Sequence, residues 1–517
     1  MPITTITMVA IIRKSRNERE MMELTPTARV IAIKESVSSI GVIPHIGQYV
    51  APLILIVVDY AAVVFAVLIA WYLRAIVLPQ YFLALHAFNI HNTYVYFIYP
   101  FTYLLFLAYE GMYTKRLPFW KCAEIIFKIC IFVSALAIVI MYFTGKAENI
   151  SRIFVVSTWL FSFIYLISAR YITKRMLVAM GLWQIPIVIV GAGKTAEILA
   201  KSYEDEPNLG YKIVGLIEDN PNERSLVKRY PHIGGFADVE QAVMSSGVQE
   251  VIIAAPGIRR GDMLDLVYRI QPYVRSLTIV PNLFGLPLSN MEVETLYNEQ
   301  MVLLKAQNNL SLYRNRFTKR VFDIVCGIIV FTLIVPILLG IYLLIKYDSK
   351  GPAFHVAKRL GKKGKEFPCY KFRTMHVGAD RMLKTYFAQN PAAKEEWDKF
   401  AKLKNGDPRV TVVGKFLRKY SLDELPQIIN VLRGNMSLVG PRPYLPREKA
   451  RMGYFANTIL ETVPGITGLW QVRGRNEIEF EGRLQLDSWY VRNWSVWHDM
   501  VLLIKTIGVV FGRKGAY

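Results

Sequence analysis

Four runs of apolar residues fill the first third of the chain, and a water-soluble fold has no place for all of them. They cover residues 51–73, where Asp59 is the only charge, then 92–109, 129–145 and 153–169. Each approaches the roughly 20 residues that a helix needs to cross a bilayer. A single run reads equally well as the buried helix of a soluble domain; four in succession do not. Composition points the same way, with 53% hydrophobic and only 20% charged residues.

Basic residues set the expected orientation, because cytoplasmic loops carry the excess of Lys and Arg. Arg13, Lys14, Arg16 and Arg19 precede the first run, Lys115, Arg116 and Lys121 lie between the second and third, and Lys174 and Arg175 follow the fourth. The two remaining loops hold Arg74, and then Lys146 and Arg152. Both ends of the bundle are therefore expected in the cytoplasm. The net charge of +22 fits anionic lipid or phosphorylated substrates, and beside membrane segments these take precedence over nucleic acid. Cys122, Cys130, Cys326 and Cys369 are scattered without a C-x-x-C, so neither zinc nor a disulfide framework is indicated. The N-terminus lacks the basic, apolar and small-residue succession of a cleaved signal.

Residues 185–190 read as a buried strand running into Gly191-Ala-Gly193-Lys-Thr-Ala196, a G-x-G-x-x-A turn, and then a helix. Further strands at 213–217 and 251–254 complete a Rossmann-like α/β pattern. The helix N-terminus suits a phosphate, and Glu218 or Asp219 stands where a ribose would be read, though farther than the usual ~20 residues from the glycines. The fingerprint alone is generic, and a degenerate fold kept for oligomerisation or regulation is the preferred reading.

A fifth apolar run, 324–345, is long enough to span, yet Lys319 and Arg320 precede it and Lys346, Lys350, Lys358 and Arg359 follow it. Pro336 sits near its middle, and proline kinks helices. Both flanks being basic predicts a helix that enters and leaves by the cytoplasmic face, the alternative being a fifth span. Asp323 at its edge is expected to pair with Lys319 or Arg320.

The chemistry-bearing residues follow. Lys371-Phe-Arg373-Thr-Met is a basic patch beside Tyr370, Asn405-Gly-Asp407-Pro-Arg409 is a charged turn, and Ser421-Leu-Asp423-Glu424 opens an apolar helical run. S-x-x-E is a capping-box pattern, which puts Asp423 and Glu424 in a first helical turn, where the dipole keeps carboxylates ionised and attracts phosphate. An ionised carboxylate can attack phosphorus, and two adjacent ones can hold Mg²⁺. Arg442 in a G-P-R-P turn, with Arg473 and Arg475 beside Asn476 in glycine-bearing loops, would form a diphosphate clamp, for which the planar guanidinium is suited. Residues 486–497, rich in tryptophan, read either as an interfacial helix or as core.

These motifs resemble the polyprenyl-phosphate hexose-1-phosphate transferases, the large monotopic phosphoglycosyl transferases. The matching pieces are KRVFD, YKFRTM, DPRVT, SLDELPQ, GNMSLVGPRP, PGITGLWQVRGRN and LDSWYVRNW. LFGLPLSN, QNNL and the RKGAY end are similar to members that use galactose; no residue legibly reads one sugar against another. The resemblance implies Asp423 as nucleophile, Glu424 as its partner, Lys371 and Arg418 in the active site, Arg373, Arg442, Arg473, Arg475 and Asn476 toward the substrate, and Mg²⁺ held at Asp423 and Glu424. Val463 departs from it, since relatives often carry a basic residue there. It further implies a UDP-sugar and undecaprenyl phosphate as substrates, membrane lipids as surroundings, release of UMP, and a first membrane step in O-antigen, capsule or exopolysaccharide synthesis. A homodimer in the bacterial inner membrane, with its active site facing the cytoplasm and no nucleic-acid partner, is expected. The resulting plan is a cytoplasmic tail at 1–48, a four-helix membrane bundle at 49–172, a Rossmann-like domain at 173–300, a connector at 301–315 and an α-rich transferase domain at 316–517 with a re-entrant helix at 319–346.

Two rivals carry less. A short-chain dehydrogenase-like dehydratase needs a Tyr-x-x-x-Lys pair, and the only ones, Tyr142/Lys146 and Tyr342/Lys346, lie in or at the edge of apolar runs. A non-catalytic scaffold has no need of an acid pair among so many arginines.

Overall fold

The computed structural model describes residues 26–82, 85, 88–143, 151–282, 291–296, 301–305, 309–390, 407–473 and 478–511. The chain divides into two compact units, residues 1–282 and 283–517.

The first unit opens with helix α1, Pro26–Tyr72, which continues through a π-helical turn, Leu73–Val77, to Tyr81. Helices α2, Tyr94–Tyr109, α3, Phe119–Phe143, and α4, Arg152–Ala179, complete the bundle. The apolar stretches of α1, α3 and α4 are long enough to cross a membrane. The α2 helix is shorter, rising about 24 Å at 1.5 Å per residue beside a ~30 Å hydrocarbon core. Leu55, Val63, Tyr103, Leu107, Ile126 and Leu166 close the interior, while Leu53, Phe65, Phe132 and Val156 face outward, as a lipid-facing surface requires.

Asp59, the one charge in the first run, is fully buried and takes a two-pronged contact from Arg170: Nε donates to Oδ1 at 2.9 Å and NH2 to Oδ2 at 2.5 Å. Arg170 NH1 donates to the Met112 carbonyl at 3.1 Å. Each charge thereby has a partner where water is absent, the condition for tolerating it there.

Five parallel strands follow: β1, Ile185–Val190, β2, Tyr211–Ile217, β3, His232–Gly234, β4, Glu250–Ile253, and β5, Ser276–Ile279. Their order, β3-β2-β1-β4-β5, is that of a Rossmann half-fold. Helices α5, Lys194–Asp205, α6, Val239–Ser246, and α7, Arg260–Ile270, supply the crossovers. Gly191 is left-handed at φ 94°, and a Cβ there would meet the Ala255 Cβ at 2.8 Å. The next amide, Ala192 N–H, donates to Glu218 Oε2 at 2.7 Å, and Glu218 is buried. An internal carboxylate thus takes a backbone donor that a bound phosphate would use.

In the second unit a hairpin of β6, Glu292–Leu296, and β7, Met301–Lys305, leads to the long helix α8, Tyr313–Asp348. Helix α8 is unbroken through Pro336. One stripe of it is covered: Lys319, Asp323, Gly327, Ile341 and Ile345 are buried, with Phe331, Ile334 and Leu338 half-covered between them. Val325, Ile329, Leu333, Leu339 and Leu343 are exposed. Both ends are tied to the same unit. Lys319 Nζ donates to Asp499 Oδ2 at 2.7 Å and to the Val439 carbonyl at 2.9 Å. At the other end the Val413 amide donates to Asp348 Oδ2 at 3.4 Å. Asp323 lies 3.9 Å from Lys319 but accepts closer bonds from Ser437 Oγ and the Leu438 amide, at 2.9 and 3.1 Å.

The antiparallel pair β8, Phe354–Leu360, and β9, Glu366–Phe372, comes next, then α9, Ala379–Gln389, α10, Val412–Lys419, α11, Gln427–Arg433, β10, Ser437–Val439, α12, Phe455–Ile459, β11, Gly465–Thr467, α13, Leu469–Arg473, α14, Phe480–Arg492, and α15, Val496–Phe511. The tryptophan-rich segment is core rather than interface. No residue of 486–497 is exposed, and the Tyr490 hydroxyl and Trp494 Nε1 both donate to the buried Asp499 carboxylate, at 2.7 and 3.0 Å.

Candidate active site

The strand, the helix and the turn that carry the charged residues meet through three local devices. Asn430 of α11 is fully buried; its Oδ1 accepts from the Tyr370 amide at 3.0 Å and its Nδ2 donates to the Pro368 carbonyl at 2.7 Å. This stitches β9 to the helix behind the acid pair. The Thr411 hydroxyl caps α10 by accepting from Gly414 N–H at 2.9 Å. Gly414 itself is required by close approach, because a Cβ there would sit 2.1 Å from the Thr374 carbonyl oxygen.

The third device is the turn between α10 and α11. Ser421 is left-handed at φ 55°, and Leu422–Glu424 form a single 3₁₀ turn with no side-chain cap. The expected capping box is therefore absent: that motif needs an extended N-cap residue whose side chain reaches the N3 amide. The acid pair precedes α11, which begins at Gln427, so the dipole argument for ionising it lapses.

Its electrostatics come from side chains instead. Lys371 Nζ contacts Glu424 Oε1 at 2.6 Å. Arg418 Nε donates to Thr374 Oγ1 at 3.0 Å. Burial, with the neighbouring Glu424 charge, pushes the Asp423 carboxyl up to about 6, against the pull of Lys371 and Arg418. Burial also works against the Lys371 charge, but Glu424 and Asp423 outweigh it and hold its pKa above the usual value. Burial lowers Arg418. Asp423 is thus a half-buried carboxylate poised near neutrality between two cations.

Beside the pair lies a cavity of about 190 Å³ whose wall includes Lys371, Glu424, Arg359, Arg442, Arg483 and Trp470. Four cations against one carboxylate make it a receptor for a multiply charged anion. The guanidinium groups of Arg442 and Arg483 lie 5.5 and 5.4 Å from the Trp470 ring centroid. The Arg442 amide donates to Asp487 Oδ2 at 3.0 Å, and the Tyr444 hydroxyl to the same oxygen at 2.9 Å. Asp487 is fully buried, which pushes its carboxyl up to about 7; it fixes the turn that presents Arg442.

Of the residues singled out from sequence, Asp423, Glu424, Lys371, Arg418 and Arg442 come together here. Arg373 has a structural place: NH1 donates to the Lys350 carbonyl at 3.0 Å, and NH2 to the carbonyl and hydroxyl of Ser349 at 2.7 and 2.8 Å, holding the end of α8. Its fork is engaged by backbone, so substrate contact does not follow from its motif. Arg473 ends α13 and is exposed, two residues past Gln471 of the cavity wall. Arg475 and Asn476 lie outside the described residues. Arg359, Arg483, Asn430 and Gln427 are additions. Arg359 hides in a lysine-rich stretch, and Arg483 is signalled only by its i, i+4 spacing to Asp487.

Asp423 and Glu424 fit a divalent cation in one respect: burial and mutual repulsion raise the Asp423 pKa, which a bound cation would relieve. No group of three or more His, Cys, Asp or Glu gathers among the described residues, so substrate phosphate would have to complete the shell, as is usual for Mg²⁺.

Residues 314–513 match the family described as Bacterial sugar transferase, and residues 110–281 match one described as CoA-binding domain. The chain is 36% identical over 405 residues to the undecaprenyl-phosphate galactose phosphotransferase of Salmonella typhimurium, spanning 78% of this chain and 84% of that protein. It is 35% identical over 412 residues to the UDP-galactose-lipid carrier transferase of Erwinia amylovora, spanning 78% and 84%. To the UDP-glucose:undecaprenyl-phosphate glucose-1-phosphate transferase of Escherichia coli it is 32% identical over 341 residues, spanning 64% and 68%.

Proposed function

This chain belongs to the bacterial sugar transferase family, and from that premise we propose that it moves a hexose 1-phosphate from a UDP-sugar onto undecaprenyl phosphate, releasing UMP. The observation that carries the reading is Asp423, a carboxylate with a pKa near neutrality, set between Lys371 and Arg418 beside a cavity of arginines. A carboxylate oxygen of Asp423 attacks the phosphorus bonded to the sugar. The bond from that phosphorus to the bridging oxygen breaks, and UMP leaves with the electron pair. A phosphate oxygen of the lipid then attacks the same phosphorus and frees the carboxylate, giving the sugar diphospholipid. Lys371 holds Glu424 and, with Arg418, keeps Asp423 ionised; Arg359, Arg442 and Arg483 carry the diphosphate charge. When bound at Asp423 and Glu424, Mg²⁺ supplies further neutralisation of phosphate charge.

Galactose is the proposed sugar, because the Salmonella and Erwinia relatives named for galactose are each matched over 84% of their length, against 68% for the Escherichia coli relative named for glucose. The proposed site of action is the cytoplasmic face of the inner membrane, where the lipid is loaded for surface polysaccharide synthesis. Two facts support a helix α8 that returns to its side of entry: basic residues crowd both flanks, and one folded unit holds both ends. A unit on one side of a membrane cannot hold the two ends of a crossing helix. The test is to incubate the protein with UDP-galactose and look for a hexose-phosphate mass on the peptide containing Asp423, and for UMP release that requires undecaprenyl phosphate for continued turnover. Undiminished turnover by Asp423→Asn would overturn the mechanism.

A further inference from the structure

A second cationic cavity, of about 390 Å³, opens at the N-terminal end of α8. Arg316 of that helix, Lys362 and Lys363 of the β8–β9 turn, and Lys449 line it, with Glu461 as its one carboxylate. None of these four cations has an ion pair or side-chain hydrogen bond to another described residue. They are nonetheless brought together by ordered backbone. The Lys363 amide donates to the Leu460 carbonyl at 2.7 Å, and the Gly361 amide to the Lys365 carbonyl at 2.8 Å. Lys363 is left-handed at φ 58°, a conformation disfavoured for a residue that carries a side chain. The next residue, Gly364, has a bare α-carbon, and a Cβ on it would come within 3.2 Å of Lys449 Nζ. The tight β8–β9 turn, closed by Gly364 N–H donating to the Gly361 carbonyl at 3.0 Å, thus brings Lys362 and Lys363 to the wall they share with Arg316 and Lys449.

The cavity lies beside the first turn of α8, ahead of its apolar run. Tyr313 and Phe317, 78% and 61% exposed, bracket Arg316 on the helix that carries the apolar run, and aromatic side chains favour the headgroup layer. Basic pockets at that level bind phosphate-bearing headgroups.

We propose that this cavity binds the phosphate of an anionic lipid headgroup. The site shares no lining residue with the one beside Asp423, so it acts as a separate contact that seats the α8 entry point against anionic lipid. The test is native mass spectrometry of the full chain in detergent with phosphatidylglycerol or phosphatidylcholine, with and without inorganic phosphate as competitor. Wild type is expected to retain phosphatidylglycerol preferentially. The combined Arg316→Gln, Lys362→Gln, Lys363→Gln and Lys449→Gln protein should lose that retention at least tenfold. A charge-matched control, Lys194→Gln, Lys201→Gln, Lys228→Gln and Arg260→Gln, should keep it. Equal loss in both would reduce the effect to net charge and overturn the site. Displacement by millimolar phosphate without any preference between the two lipids would overturn the lipid assignment in favour of a free anion. Lys363→Gly separates binding from folding: it relieves the left-handed strain, so melting temperature should hold or rise while retention falls. Unchanged retention in that variant and in Lys449→Gln would sink the proposal. Transferase turnover on soluble detergent substrate should stay at the wild-type rate throughout, so the result stands apart from the catalytic reading.

Discussion

At the residue scale the site turns on one proton. Asp423 must be ionised to attack, and with its pKa at about 6 it is roughly nine-tenths ionised at pH 7. Formation of the phosphosugar adduct should therefore fall as pH drops through about 6, and single-turnover rates across pH would show it. Lys371 and Arg418 both pull that pKa down, so Lys371→Met should move the acid limb to higher pH as well as lower the rate; a limb that stays in place would remove Lys371 from the electrostatics. Arg483→Ala should raise the KM for the UDP-sugar tenfold or more while leaving discharge of the adduct to the lipid phosphate largely intact. What could be read from the chain here was each residue type, and not its company. Lys371 meets Glu424 across 53 residues, a distance over which no local pattern speaks. The S-x-x-E spacing was locally consistent and still misled, because the turn needs a left-handed Ser421 to aim the acid pair.

At the element scale, hydrophobic runs announce themselves because periodicity and length are local properties, and β1, β2 and β4 of the Rossmann sheet were legible for the same reason; the three-residue β3 and the half-exposed edge strand β5 were not. Packing partners were not: residues 486–497 have the composition of an interfacial helix, yet Tyr490 and Trp494 face a buried carboxylate that comes later in the chain. Gly414→Ala drives a methyl into the Thr374 carbonyl, an overpacking that costs about 1–3 kcal/mol; α10 should shift, taking Arg418 with it, and both the melting temperature and turnover should drop. For α8, single cysteines placed by Arg314→Cys and Lys350→Cys should both resist a membrane-impermeant thiol reagent in intact cells. Labelling of the second alone would make α8 a true crossing and remove the cytoplasmic site.

At the scale of the whole molecule, the four-helix bundle lies in one unit and the acid pair, with its own membrane helix α8, in the other, so the second should carry transfer without the first. Its boundary is finer than the connector reading supposed. Leu310 is buried in the catalytic core, and Asn309 Nδ2 donates to the Trp494 carbonyl at 2.8 Å. A chain beginning at residue 301 should thus retain turnover, whereas one beginning at 311 should be less stable by the ~2–3 kcal/mol of a buried leucine; thermal melts of the pair decide it. The bundle carries a consequence of another kind. Asp59 and Arg170 are 111 residues apart in the chain, so at 5–20 residues per second roughly 6–22 s of synthesis separate them. For that interval the first helix has an acid and no base, a burden of about 2.5–3.5 kcal/mol at mid-bilayer. Staying beside the insertion machinery until the fourth helix arrives would spare it that cost, which makes the bundle's assembly a matter of timing as much as of hydropathy.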